Sequence, residues 1–369
     1  RDDYWGKNLN VNVGMNNFKT ISYTFYTDRD VEFQAFKAGN TDFWQENSAG
    51  RWATGYDFPA VKDGRIKREE LPNIYRSVGI MQAFVPNARR DKFKDPRVRK
   101  ALNLAYDFED MNKTLFFGQY QRINSFFMGS DLASSGLPQG KELEILTEVK
   151  DEVPPEVFTT EYRNPVGGDP AKQRDNLREA VKLMKEAGYE LRGNRMVNAK
   201  TGQPFDFEIL VDSPAMERVV LAYTQNLKKI GINATVRNVD SSQYTNRTRA
   251  FDYDMIVNLW AQTSNPGNEQ ADYWGSAAAN RQGSKNFAGI SNPAIDKIVR
   301  KIIFAPTRED QVAAVKALDR VLLAGNYVIP QFYRGEMTVA YWNTIVRPTE
   351  LPYYGIGFPD AWWSASAAK

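Results

Sequence analysis

Residues 252–276 read DYDMIVNLWAQTSNPGNEQADYWGS, and the start of this stretch predicts the strand around which the fold is organised. Residues 255–260 form an apolar run that is typical of a buried strand. A loop of uncharged hydrogen-bonding residues follows, interrupted by Pro266 and Gly267 and flanked by aromatic residues. Ligand sites combine apolar walls with a few placed polar groups, so the stretch predicts part of a small-molecule site. An ordinary surface loop is the alternative.

Strand and helix signals alternate upstream of this stretch. Residues 78–86, 205–211 and 232–239 predict strands, and residues 170–187 and 215–230 predict helices that end at glycine. Such an alternation predicts an α/β lobe with a mixed sheet.

Weaker signals lie on both sides of this lobe. Residues 20–27 alternate apolar and polar side chains and predict a half-buried strand. Pro96 begins a predicted helix over 97–113, and the acidic, proline-rich residues 131–170 predict irregular structure. Residues 327–333 predict a strand near the end of the chain.

The composition excludes several classes of function. The 369 residues suggest two or three lobes, and the net charge of +3 argues against a dedicated nucleic-acid binder. With no Cys and no His, thiol nucleophiles, Ser-His-Asp triads and nearly all zinc sites are excluded. We therefore expect neither a metal nor a cofactor. An Asp/Glu pair remains possible, and Glu46, Glu269 and Asp272 are its candidates, with helix caps and surface charges as the alternative.

The remaining signals favour a binding protein. Aromatic residues, uncharged amide and hydroxyl donors and two α/β lobes fit a cleft that closes on a ligand. The chain would cross between the lobes near residues 72–78 and 253–258. Residues 1–77 and 257–369 would then form lobe I, and residues 78–256 lobe II.

Short motifs along the chain resemble those of the large periplasmic peptide-binding proteins of ABC importers. The matching segments keep the family's order, and they are residues 3–6 (DYWG), 33–39 (FQAFKAG) with 41–43 (TDF), 94–102 (KDPRVRKAL), 183–188 (LMKEAG), 227–232 (LKKIGI) and 291–297 (SNPAIDK). They cover nearly the whole chain. The resemblance implies a two-lobed, periplasmic binding protein type II-like fold with mixed sheets and a ligand cleft between the lobes.

Two further segments are similar to the YejA-type subgroup of this family, family 5 of the solute-binding proteins. They are residues 46–54 (ENSAGRWAT) and 260–270 (WAQTSNPGNEQ). The subgroup is associated with uptake of peptides, including microcin C and murein-type peptides. The resemblance also implies that a large N-terminal portion of the first lobe, with its signal peptide, lies outside this sequence.

One position departs from the family pattern. Ordinary oligopeptide binders carry an aspartate that pairs with the ligand's α-ammonium group, and the resemblance aligns it with Gln262. A neutral amide cannot make the same charge-assisted contact. Either another carboxylate holds the amine, with Glu46 and Glu269 as candidates, or the ligand is not held by a free amino terminus.

The resemblance implies a non-enzymatic periplasmic receptor that delivers a peptide or peptide-like ligand to an ABC transporter permease. The expected ligand-binding residues are Glu46, Asn47, Trp52, Asn124, Phe127, Trp260, Gln262, Thr263, Ser264, Asn265, Asn268, Glu269, Tyr333, Arg334 and Tyr354. Aromatic residues among them would pack ligand side chains, and Arg334 would meet a ligand carboxylate. The expected partners are the ligand, the permease subunits and the N-terminal portion. A carboxylate-based hydrolase and a sugar-binding relative are the alternatives.

Overall fold

The computed structural model of this chain describes residues 3–72, 79–353 and 355–368. The packing divides the chain into two compact units. One comprises residues 1–76 and 334–369, and the other comprises residues 77–333.

The first unit is built on a short antiparallel sheet. Its elements are α1 (Arg29–Lys37), β1 (Phe43–Gln45), α2 (Ala49–Thr54), α3 (Pro59–Lys62), β2 (Ile66–Pro72), β12 (Glu336–Trp342), β13 (Ile345–Val346) and β14 (Trp363–Ser364). Strand β12 lies between β1 and β2 and is antiparallel to both. The late strand β12 therefore joins the beginning of the chain to its end.

Aromatic side chains fill both sides of this sheet. Phe33, Trp44, Trp52 and Tyr56 are buried together on one side. A second cluster forms around Trp362, which is fully buried. Buried aromatic rings contribute large apolar areas, so a small unit can still be stable.

The second unit contains the other helices and strands of the described residues. They are β3 (Ile80–Pro86), α4 (Pro96–Leu104), α5 (Phe108–Thr114), β4 (Gln121–Arg122), α6 (Gly140–Thr147), α7 (Glu156–Thr159), α8 (Pro170–Glu186), β5 (Tyr189–Arg192), β6 (Arg195–Asn198), β7 (Asp206–Val211), α9 (Pro214–Lys229), β8 (Asn233–Asn238), α10 (Ser241–Arg249), β9 (Met255–Ala261), α11 (Glu269–Trp274), α12 (Pro293–Ile303), α13 (Arg308–Ala324), β10 (Ile329–Pro330) and β11 (Phe332–Tyr333).

A mixed sheet with the strand order β10-β3-β9-β7-β8 organises this unit. Strand β9 pairs antiparallel with β3 and parallel with β7, and β7 is parallel to β8. One face carries Trp260 and packs against α12 and α13. The opposite face carries Phe84 and packs against α4, α8 and α9. The buried strand predicted from residues 255–260 is therefore at the centre of the sheet, and the prediction of a mixed α/β architecture is confirmed.

Local capping explains where several helices begin. The Asp169 carboxylate accepts hydrogen bonds from the backbone N–H groups of Ala171 and Lys172, and Pro170 occupies the first position of α8. Thr307 caps α13 by accepting from the N–H of Asp310. A capping side chain satisfies N–H groups that have no partner inside the helix, and this signal is visible in the sequence.

Four sequence expectations differ from the structure. Residues 20–27 form no strand and are almost all exposed, because no neighbouring strand pairs with them among the described residues. The helix predicted over 97–113 is two helices, since α4 ends at Leu104 and Asp107 caps the start of a separate helix, α5. Residues 327–333 contain only the two-residue strands β10 and β11. Residues 131–170 include α6 and α7.

The unit boundaries also differ from the predicted lobes. The first predicted crossing, near 72–78, falls mainly on residues 73–78, which lie outside the described residues. The second boundary lies between Tyr333 and Arg334 and not at residue 257. The reason is that β9 is hydrogen-bonded between β3 and β7, so the segment after it stays within the second unit.

Candidate functional site

In the first unit, Glu46 is a buried carboxylate with donors around both oxygens. Trp44 on β1 and Glu46, the residue that follows this strand, are both buried, and Glu46 is only 2% exposed. One oxygen accepts from Trp44 Nε1 at 3.0 Å and Tyr56 OH at 3.2 Å, and the other accepts from the Ser48 N–H at 2.8 Å. The Arg51 guanidinium lies 3.7 Å away. Glu46 thus stabilises the aromatic cluster of this unit.

The same surroundings shift the pKa of the Tyr56 hydroxyl. Burial raises the pKa of its hydroxyl well above the ordinary value, and the adjacent Glu46 carboxylate raises it further. Tyr56 is therefore a neutral hydrogen-bond donor to Glu46 at any physiological pH. A carboxylate held in this way is not presented to a ligand in this structure.

Trp52 lies on α2, belongs to this cluster and is 7% exposed. Its Nε1 donates to Glu70 Oε1 at 2.7 Å, and the Arg68 guanidinium lies 4.1 Å from the centre of a Trp52 ring. This position between a carboxylate and a cation fixes the orientation of the indole. Asn47, by contrast, is exposed.

Arg334 joins the same region through Thr338. The Arg334 guanidinium donates to Thr338 Oγ1, and that hydroxyl donates to the backbone carbonyl of Glu46 at 2.6 Å. Arg334 is partly exposed. The first unit therefore brings Glu46, Asn47, Trp52 and Arg334 together, whereas Tyr354 lies outside the described residues.

In the second unit, two of the predicted aromatic residues belong to the core. Trp260 is 2% exposed, and its ring centre lies 4.9 Å from that of Trp274. Its Nε1 donates to the Lys285 carbonyl at 3.0 Å. Phe127 is fully buried, and its backbone packs on Gly79, which has a φ of +78° and where a Cβ atom would lie 2.8 Å from Phe127. Neither ring is available to a ligand in this structure.

Gln262, at the end of β9, is 4% exposed and belongs to a chain of side-chain amides. Its Oε1 accepts from Gln270 Nε2 at 2.8 Å, and Gln270 Oε1 accepts from Trp274 Nε1 at 2.9 Å. The backbone N–H of Gln262 donates to the Gly79 carbonyl. Within the described part of the chain, Gln262 Nε2 has no hydrogen-bond partner.

Exposed polar residues follow Gln262, namely Thr263, Ser264, Asn265 and Asn268. This loop is fastened to α13, because Arg308 donates to the Ser264 carbonyl at 2.6 Å and Gln311 donates to the Pro266 carbonyl at 2.9 Å.

The Glu269 carboxylate accepts hydrogen bonds from the backbone of the same loop. Both of its oxygens accept from the backbone N–H of Gly267, at 3.0 and 3.1 Å. Gln270 Nε2 lies 3.3 Å from one of these oxygens. Glu269 thus already serves as a local capping carboxylate.

Two predicted residues lie on other parts of the second unit. Asn124 is exposed. Tyr333 is partly exposed, lies on β11 opposite β4, and donates from its hydroxyl to Gln121 Oε1 at 2.9 Å.

Sequence reasoning did not identify the residues that hold these groups in place. Gln270 and Trp274 orient Gln262, and Asp319 holds the turn that carries Phe127. Gln270 and Trp274 stand four residues apart, as expected for neighbours on one helix face. Asp319 stands out because it interrupts the apolar residues of α13. The spacing of Gln270 and Trp274 and the position of Asp319 are the features of the sequence that could have identified these residues.

Neither a cluster of metal-ligating side chains nor a membrane-spanning helix is present among the residues that the structure describes. Over residues 3–72, 79–353 and 355–368, no group of three or more Asp or Glu side chains is placed to hold a metal ion. In the same residues, no helix has the length and apolar character needed to cross a bilayer.

Comparisons with known proteins agree with the fold. The family model described as "Bacterial extracellular solute-binding proteins, family 5 Middle" matches residues 1–284. The chain is 76% identical over 369 residues to the "Probable peptide-binding protein YejA" of Agrobacterium fabrum, covering all of this chain and 60% of that protein. It is 37% identical over 372 residues to the "Peptidoglycan-binding protein YepA" of the same organism, covering 98% of this chain and 60% of that protein.

A solved structure is also similar. The oligopeptide-binding protein AppA of Bacillus subtilis, in complex with a nonapeptide, matches with a TM-score of 0.69 and 17% identity, over 93% of this chain and 60% of AppA. At this identity the similarity concerns the fold alone. The chain thus spans about 60% of the length of each of these three proteins.

Proposed function

The chain belongs to family 5 of the bacterial extracellular solute-binding proteins, and from this membership we propose that it is part of a receptor for peptides or peptide-like ligands. The receptor would deliver its ligand to the permease of an ABC transporter. The predicted two-lobed α/β fold of this family is confirmed by the mixed sheets and by the similarity to AppA.

The observation that carries this proposal is the match over the whole chain to a protein named as a probable peptide-binding protein. The more distant relative named for peptidoglycan binding adds murein-type peptides to the candidate ligands. Peptides of both kinds share amide groups and terminal or side-chain charges, so one class of polar site can serve them. Microcin C-like ligands, which the resemblance also implies, are included among the proposed ligands.

The accessible candidates are the ones that we propose as ligand contacts. They are Asn47, Asn124, Thr263, Ser264, Asn265, Asn268, Glu269, Tyr333 and Arg334. Amide and hydroxyl groups of this set would bond the peptide main chain, and Arg334 would meet a ligand carboxylate. Glu46, Trp52, Phe127 and Trp260 would support these contacts from the interior, since their polar atoms and rings are engaged there.

Titration calorimetry tests the proposal. The full-length protein should bind at least one member of a panel of dipeptides, tripeptides and murein tripeptide. Arg334→Gln should weaken binding of peptides with a free carboxylate more than binding of their C-terminal amides. The exposed Arg178→Gln on α8 is the matched control, because it makes the same change of charge on another surface. Absence of binding across the panel would overturn the proposal.

We further propose that the receptor performs no catalysis on its ligand. The relatives reported above are named as binding proteins. All three carboxylates considered for a hydrolase accept hydrogen bonds from their own surroundings: Glu46 and Glu269 as described above, and Asp272 from the Arg281 guanidinium and the Lys285 N–H. A peptide recovered intact after prolonged incubation supports binding alone, whereas cleavage products that disappear in Glu46→Gln or Glu269→Gln would establish the hydrolase.

Location and partners belong to the same proposal. We propose that the receptor acts in the periplasm and contacts the permease subunits of its transporter. A signal peptide and a further N-terminal portion of the first lobe stay predictions from the resemblance. Fractionation of cells that produce the full-length protein, with antibodies against this chain, tests the location.

A further inference from the structure

The side-chain amide of Gln262 has a defined orientation. The indole Nε1 of Trp274 can only donate, so the atom of Gln270 that faces it must be the oxygen. Gln270 therefore presents its Nε2 to Gln262, and the atom of Gln262 that accepts from it at 2.8 Å must also be the oxygen. This chain of assignments leaves the Nε2 of Gln262 directed away from Gln270.

That remaining amide donor has no acceptor among residues 3–72, 79–353 and 355–368. Buried polar atoms without a partner are rare in native structures, because each forfeits the hydrogen bond it had with water. The nearby carboxylate of Glu269 is held by the backbone N–H of Gly267 and by Gln270. The surroundings thus supply no acceptor for this donor.

The position of Gln262 favours a ligand as the missing acceptor. Its chain neighbours Ala261 and Thr263 are both exposed, so the amide lies just beneath the surface of the second unit. The exposed loop that follows carries four of the proposed ligand contacts, Thr263, Ser264, Asn265 and Asn268.

We propose that Gln262 is a one-way hydrogen-bond donor that selects ligands presenting a carbonyl or carboxylate oxygen at this point. Its oxygen is committed to Gln270, so the side chain cannot rotate to accept without breaking that hydrogen bond. An ammonium group placed here would face the N–H group of Gln262 and gain no acceptor from this side chain. This inference rests on the proposed peptide-binding function and narrows its ligand class to peptides that need no free amine at this position.

Terminal blocking of the ligand tests the proposal. The probe is a pool of Ala-Xaa-Ala tripeptides prepared with free termini, with an N-acetyl group, with a C-terminal amide and with both, and binding is measured by native mass spectrometry. The unchanged full-length protein should bind N-acetylated members at least as tightly as free ones. An affinity that falls tenfold or more on N-acetylation would contradict the proposal.

Two substitutions at Gln262 make the test specific. Gln262→Glu has nearly the same shape and still accepts from Gln270, but it replaces the free donor with an acceptor. Gln262→Met removes both the donor and the acceptor of this side chain. Gln270 Nε2 then keeps the Glu269 carboxylate, at 3.3 Å, as its acceptor. Each should weaken binding of the preferred probes by about tenfold, the order expected for one buried hydrogen bond. Gln262→Glu should in addition favour free-amine probes, because an ionised carboxylate accepts hydrogen bonds from an ammonium group.

The four probe forms identify the acceptor. If the Gln262 variants lose affinity only for N-acetylated probes, the acceptor is the acyl carbonyl. If the loss disappears when the C-terminus of the probe is amidated, the acceptor is the terminal carboxylate. An equal loss for all four forms assigns the acceptor to an internal carbonyl. Gln243→Glu, on the exposed face of α10, is the control for the added charge and should match the unchanged protein.

Two negative results are distinguishable. If the unchanged protein and both Gln262 variants bind every probe with equal affinity, the donor role of Gln262 is wrong and peptide binding stands. If the unchanged protein binds no probe and no peptide of the calorimetry panel, the peptide-binding function is wrong, and the inference about Gln262 falls with it.

Discussion

At the scale of single residues, the first unit shows how a charge is accommodated among aromatic rings. A buried carboxylate is costly unless donors satisfy its oxygens. Glu46 meets this requirement with the indole of Trp44, the hydroxyl of Tyr56 and the backbone of Ser48. Its function is therefore to orient these groups.

Replacing Glu46 by Gln should destabilise the first unit by about 1–3 kcal/mol, because an amide NH2 group would then face a hydrogen-bond donor. Native-state hydrogen exchange of the amides in β1 and α2 measures the change. Glu350→Gln is the matched control at an exposed position and should have little effect. Equal protection in the two variants would mean that Glu46 has no stabilising role.

At the scale of elements, one carboxylate of α13 holds a neighbouring turn. Asp319 is fully buried, and it accepts from the Phe126 N–H at 2.7 Å and the Ser125 hydroxyl at 2.8 Å. It also accepts from the backbone N–H and the hydroxyl of Ser134, at 2.9 and 2.6 Å. The irregular segment 125–134 is thereby fixed to a rigid helix.

Asp319→Asn should therefore cost about 1–3 kcal/mol of stability, since the amide NH2 group would face a backbone N–H, of Phe126 or of Ser134, and leave buried donors unsatisfied. Denaturant unfolding with hydrogen exchange over 125–134 measures both the global and the local effect. The exposed Asp151→Asn provides the same chemical change without the buried network. Unchanged exchange in 125–134 would show that the turn holds its shape without this carboxylate.

An ion pair connects α6 with the first turn of α13. Lys141 lies 2.7 Å from the Asp310 carboxylate and holds its pKa below the ordinary value, with the Thr307 hydroxyl acting in the same direction. A carboxyl group with a lowered pKa in the folded state stabilises the protein above its unfolded pKa, about 3.9. That contribution is lost as the pH falls through the folded pKa.

Lys141→Met should consequently move the pKa of Asp310 upward, toward the ordinary range. Carboxyl NMR signals followed through a pH titration report the shift directly. The exposed Lys150→Met tests whether removal of a positive charge elsewhere on the surface is sufficient. A midpoint for Asp310 that is the same with and without Lys141 would contradict the pairing.

At the scale of the whole molecule, each unit has its own core. Aromatic clusters stabilise the sheet of β1, β12 and β2, whereas aliphatic and aromatic residues cover both faces of the sheet centred on β9. Units with separate cores unfold with separate stabilities unless they are coupled by a ligand or an interface. A ligand that binds only the folded protein raises its free energy of unfolding, so ligand binding can be measured as a change in stability.

A peptide ligand at about 100 times its dissociation constant should raise the free energy of unfolding by about 2.7 kcal/mol. Thermal unfolding of the full-length protein with the peptide panel measures this effect. Maltotriose serves as the comparison ligand, because a sugar receptor was the other binding hypothesis. Stabilisation by maltotriose and not by any peptide would favour that alternative.

Local signals predicted much of the secondary structure. The apolar run at 255–260 was placed correctly as a buried strand, and Asp169 caps α8 where the predicted helix over 170–187 begins. Residues 20–27 show the limit of such signals. Their alternation is that of a strand, but a strand also requires a hydrogen-bonding partner from elsewhere in the chain.

The amino-acid sequence by itself determined the family, because ordered motifs and helix caps are local features that survive in the linear pattern. The tertiary structure alone decided which candidate residues are accessible. Trp260 is buried because Trp274 packs on it, and Gln262 is a donor only because Gln270 and Trp274 orient it. Glu46 is likewise held in place by β12, almost 300 residues away, through Thr338. Burial and hydrogen-bond direction depend on such remote partners, and sequence spacing does not encode them.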